Sequence, residues 1–67
     1  MMKAKAHDGE GDAYSIPDFC RRHSITRTLY YTLKRKGLGP REIRLGGRVL
    51  ISKEAAADWR REREQGT

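Results

Sequence analysis

Three times along this chain an apolar residue precedes a hydroxyl, and a second apolar side chain follows five positions after the first. The sets are Tyr14-Ser15 with Phe19, Ile25-Thr26 with Tyr30, and Ile51-Ser52 with Ala56. A hydroxyl placed this way accepts from the open amides of a helix's first turn, and the flanking apolar pair staples the chain's entry. The repeat sets three helix starts in only 67 residues, so the connections between them must be short. At the first start, Pro17 suits the opening turn and Asp18 is placed to reach back in a capping box. A helix is expected from Ile16 to about Arg22, with Ile16, Phe19 and Cys20 on one face.

His23-Ser24-Ile25 has room only for a tight turn before Thr26 caps a second helix, which Gly37 ends as a C-cap glycine. At 100° per residue, Thr26, Leu29, Tyr30 and Leu33 gather on the core side. Opposite them lie Thr28, Tyr31 and Arg35, flanked by Arg27, Thr32 and Lys34. Two helices so joined, the second polar and basic outside, read as a helix-turn-helix. A solvated helical hairpin would account for Lys34-Arg35-Lys36 alone. It accounts less well for the stretch Phe19 to Arg41, which has seven Lys and Arg and no acid, because solvated surfaces usually mix both signs. Such a face suits duplex DNA: cations displace counterions from phosphates, and hydroxyl, phenol and guanidinium groups reach oxygens or base edges.

Glu42 to Ile51 reads as two short strands around Gly46-Gly47. A two-residue turn would pair Leu45 with Arg48, whereas a three-residue turn would pair Leu45 with Val49 and Ile43 with Ile51. Strict alternation favours the second, which puts all four aliphatics on one side. That register leaves Arg44 on the outer face and Arg48 at the tip, as a basic ribbon. Ser52 then caps a third helix, Lys53 to about Glu64, with Ala55, Ala56 and Trp59 as its apolar stripe and Trp59 as its core anchor. The expected class is mainly α with a small β-hairpin, in the order helix-helix-hairpin-helix. Residues 1–13 are expected to be a disordered tail, 14–60 the DNA-binding domain, and 61–67 a helix end and polar tail.

A chain this short buries too little to enclose a substrate and house a catalytic apparatus as well. Its formal charge of +6 favours a polyanionic partner. No run is apolar enough for a membrane, and the N-terminus lacks a signal peptide's apolar stretch. With one cysteine, the chain reads as cytoplasmic and free of disulfides. Cys20 and His23 have the spacing of two metal ligands, but His7 is the only further Cys or His, so a buried thiol and a turn histidine are expected. No catalytic residues, cofactor or metal are expected, and Gly46-Gly47 lacks the surroundings of a phosphate-binding loop.

Taken in order, these pieces resemble the excisionase-type small DNA-binding proteins, related to AlpA-type regulators and more distantly to the DNA-binding end of MerR-family regulators. The resemblance rests on Ile16-Pro17, Thr26-Arg27-Thr28, Tyr31, Leu33, Gly37, Leu45-Gly46-Gly47-Arg48, Ile51-Ser52-Lys53-Glu54 and Trp59. It implies a winged helix-turn-helix whose second helix enters the major groove, with Arg27, Thr28, Tyr31, Thr32 and Arg35 on its outward side. Arg44 and Arg48 would lie in the wing. Proteins of this kind act as recombination directionality factors or transcription regulators of a prophage or integrative element, so an integrase or RNA polymerase would be the protein partner. The long dimerisation helix of MerR-type regulators is missing, which implies a monomer in solution that binds cooperatively on adjacent sites. The alternative class is a protein-interaction module, a phage-type inhibitor or antitoxin-like partner, setting the basic helix on an acidic protein surface. RNA is a further option, although the aromatic sheet platform of common single-strand readers is lacking.

Overall fold

All three hydroxyl caps form. Ser15 Oγ accepts from the Asp18 amide at 3.2 Å, Thr26 Oγ1 from Leu29 at 3.0 Å, and Ser52 Oγ from Ala55 at 2.9 Å. They open α1 (Ile16–Arg22), α2 (Arg27–Arg35) and α3 (Lys53–Gly66) in a computed structural model that describes residues 11–66. Three strands complete an α+β unit: β1 (Ala13–Ser15), β2 (Ile43–Leu45) and β3 (Arg48–Ser52), antiparallel in the order β1-β3-β2. Most of the expected N-terminal tail, residues 1–10, lies outside the described residues, as do His7 and Thr67.

β1 is the element missing from the sequence reading, and it moves the fold from mainly α to α+β. It pairs Ala13 with Ser52, Tyr14 with Ile51 and Ser15 with Leu50, so the chain is already in the sheet at Ala13. It also corrects the hairpin register. Gly46 takes φ +58°, the left-handed conformation needed at the first central position of a two-residue turn. Leu45 therefore faces Arg48, Arg44 faces Val49, and Ile43 faces Leu50. The three-residue turn was expected because two strands alone would need every aliphatic on one side. With Tyr14 supplied by β1 beside Ile51, the core side is filled without Ile43 and Leu45. Those two turn to the opposite face, 38% and 56% exposed.

α1 and α2 both end in paired i−5 and i−3 backbone bonds. Ile25 N–H donates to Cys20 O and Ser24 N–H to Arg21 O; Leu38 N–H donates to Leu33 O and Gly37 N–H to Lys34 O. Each closure needs one left-handed residue, supplied by Ser24 at φ +59° and Gly37 at φ +76°. The Asp18 side chain, expected to complete a capping box, turns forward to the Arg21 guanidinium. α3 runs on through Gly66, past its expected end.

The core gathers on Phe19, whose fully buried ring meets Tyr14, His23, Tyr30 and Trp59. His23 stacks on Phe19 with centroids 4.2 Å apart and lies edge-on to Trp59 at 5.6 Å. Ala55 and Ala56 are buried beside Trp59, so the small residues of α3 bring its backbone close to Phe19 and Ile51. Trp59 Nε1–H donates to Leu38 O at 2.8 Å, which latches α3 to the chain leaving α2. On α2 the buried stripe is narrower than expected: Tyr30 is 1% exposed, but Leu29 is 43% exposed.

Candidate nucleic-acid interface

The N-terminal end of α2 and the start of β3 border one concave groove of about 670 Å³. Its floor includes Pro17, Ile25 and Leu50, and Arg21, Arg27 and Arg48 also line it. Asp18 is the one acid among the lining residues, and it is already joined to Arg21. Neither Arg27 nor Arg48 forms an ion pair with a described residue. Arg27 is the first residue of α2, and Arg48 opens β3 rather than standing at the hairpin tip as expected. The two arginines therefore border the same hollow from different elements.

Of the other candidates, Thr28 and Tyr31 are exposed on α2, and Tyr31 meets the edge of Tyr30 at a centroid separation of 5.2 Å. Tyr30 is thus the buried base on which an outward ring rests. Arg35 donates to Thr32 Oγ1 at 3.4 Å, a long contact that leaves most of its donors available. Arg44 departs from expectation: it shares the face of Val49 and Ile51, and its guanidinium lies 3.1 Å from Glu42.

Glu42 is a residue of the candidate site that the sequence alone does not single out. Its side chain is only 9% exposed, and its carboxylate accepts from the Tyr30 hydroxyl at 2.6 Å and pairs with Lys34 at 3.2 Å and Arg44 at 3.1 Å. Burial pushes this carboxyl up, but the bonds from Tyr30 and Lys34 and the charges of Lys34 and Arg44 outweigh it, and it titrates below its ordinary value. The Tyr30 phenol moves up, through burial first and the Glu42 bond second. One signal was available. Glu42 is the single acid between Asp18 and Glu54, so it is the acid nearest in sequence to both Lys34 and Arg44.

Asp58 of α3 holds Arg41 at 2.9 Å and also Arg61, and the Arg41 bond leads in lowering its carboxyl below the usual range. Cys20 is buried, and burial pushes its thiol up against the pull of Arg27. An arginine can only donate, so the 2.9 Å contact from Arg60 makes His23 Nε2 an acceptor. Nδ1–H then donates to Phe19 O at 2.8 Å. Both ring nitrogens are occupied within the fold. Among the described residues no three His, Cys, Asp or Glu gather as a metal site, and no helix is long and apolar enough to cross a membrane. Comparison with protein-family models, curated proteins and solved structures finds no match.

Proposed function

We propose that the chain is a small sequence-specific double-stranded DNA-binding protein of winged helix-turn-helix type, with α2 as recognition helix and the β2–β3 hairpin as wing. The observation that carries this reading is the groove shared by Arg27 and Arg48, two guanidinium groups with no ion-pair partner among the described residues, set over an apolar floor. A DNA strand fits that chemistry, since phosphates take the guanidinium forks while deoxyribose lies against Pro17, Ile25 and Leu50. Thr28, Tyr31, Thr32 and Arg35 extend the surface along α2. The resemblance to excisionase-type proteins supports a role in directing recombination or regulating transcription for a prophage or integrative element.

A second reading draws on the exposed Ile43 and Leu45 beside Arg48. An acidic, partly apolar protein surface would cover both. Titration of the purified chain against random duplex DNA, RNA and an acidic protein at several salt concentrations separates the readings. Duplex binding whose log affinity falls with log salt at a slope of roughly −4 to −5 is the expected result, corresponding to about four to six neutralised phosphates. Tight binding to the acidic protein without duplex binding at low salt would favour the second reading.

A further inference from the structure

We infer that Glu42 is a built-in counter-anion that withholds Lys34 and Arg44 from DNA phosphates, leaving Arg27, Arg35 and Arg48 to engage the backbone. This rests on the DNA-binding reading and assigns the division of labour within that site.

Lys34 and Arg44 border a small cleft where α2 gives way to β2, lined also by Gly37, Gly39 and Pro40. Their side chains are 40% and 66% exposed, so position alone would let both meet a polyanion. What restrains them is a carboxylate that cannot swing away. The Glu42 carboxylate is held from below by the hydroxyl of Tyr30, itself 1% exposed and packed against Phe19. A phosphate drawing Arg44 or Lys34 outward would meet the repulsion of that carboxylate. It would also leave a mostly buried charge short of a partner, which is among the costlier arrangements a fold can be given. No such restraint acts at the other end of the helix, where the only acid lining the groove is already joined to Arg21.

The test measures affinity for random duplex DNA against salt for the wild type, Glu42→Gln, Lys34→Gln and Arg48→Ala. Glutamine keeps an acceptor for Tyr30 but carries no charge. Glu42→Gln should bind about tenfold more tightly at 0.1 M salt, with a slope steeper by about one to two units as the two cations become available. Lys34→Gln should leave the wild-type slope within a few tenths of a unit, whereas Arg48→Ala should make it shallower by about one. A folded Glu42→Gln variant with unchanged or weaker affinity overturns the inference. If Glu42→Gln does not fold, Lys34→Gln decides: a slope shallower by a full unit overturns the inference, and an unmoved slope supports it. A wild type with no salt-dependent duplex binding removes the DNA-binding reading itself, and that result is seen before any variant is compared.

Discussion

The two ends of α2 differ in their cations: Arg27 stands in the first turn, whereas Lys34 and Arg35 stand in the last. At the N-terminal end, Arg27 opens on a groove with Arg48 across it, and neither pairs with a described acid. At the C-terminal end, Lys34 is tied to Glu42, and the chain just beyond is latched by the Trp59 indole on Leu38 O. At the C-terminal end an acid holds Lys34, while Arg35 beside it reaches only Thr32. A tally of basic residues hides this, because what an anion meets depends on where the few acids sit.

The sharpest break in that comparison is at the anchored end. Trp59→Ala removes a buried ring from the Phe19 cluster together with its bond to Leu38, a loss of about 3–5 kcal/mol. So small a domain has roughly that much stability in all. The variant should show no cooperative thermal transition at room temperature and above by circular dichroism. A folded, cooperative variant would mean that α3 does not secure α2.

At the open end the effect should fall on binding. Given a preferred site, Arg27→Ala should narrow the gap between that site and random DNA by about 1–3 kcal/mol if its fork pairs with a guanine edge. Arg48→Ala should weaken both DNAs nearly equally. Titrating both variants against both DNAs checks the pair. Loss of discrimination in Arg48→Ala, with uniform loss in Arg27→Ala, would make the hairpin the reading element instead of the helix.

Acid should act on the anchored end first. The folded state holds the Glu42 carboxyl below its ordinary value of 4.5. Its contribution is therefore fully present above about pH 4.5 and is lost as pH falls through the lower folded-state value. Denaturant melts from pH 6 to pH 3 should show a loss of stability that is smaller in Glu42→Gln. An equal loss in both proteins would assign the acid sensitivity elsewhere, with Asp58 the next carboxylate to examine.

The smallest effect concerns the turn that sets the open end's direction. Ser24 holds φ +59°, a conformation that disfavours residues with a Cβ. Ser24→Gly should raise stability by about 0.5–1 kcal/mol while leaving the salt slope unchanged, as read from paired melts and titrations. A drop in stability would mean that the serine side chain contributes more than its backbone strain costs.

What could be read from the sequence was what local chemistry decides. Ser15, Thr26 and Ser52 each find their donor three residues on, within one turn, so the helix starts were legible. So was Trp59 as anchor, since it follows Ala55 and Ala56 on one helical face. The strand Ala13–Ser15 was not legible, because three residues have no period and their partners lie far along the chain in β3. A hairpin without that strand would need all its aliphatics inward, which selects the other register. The outward list on α2 could be drawn from helical geometry alone. That Arg27 and Arg48 share a groove while Arg44 is held by Glu42 depends on tertiary placement, which no spacing rule conveys.

The central position of β3 also has a consequence for how the protein is made. Its neighbours on either side are β1, from the beginning of the described chain, and β2, from just before it. Pairings between such distant segments come late in folding, after the loop between them has closed. A ribosome must therefore release the chain nearly to Ser52 before Tyr14 can find Ile51, and α3 must follow before Trp59 can seal the core. Until then α2 has only α1 to pack on, through Tyr30 and Phe19, and a product truncated ahead of β3 would present its arginines without the rest of the support that aims them.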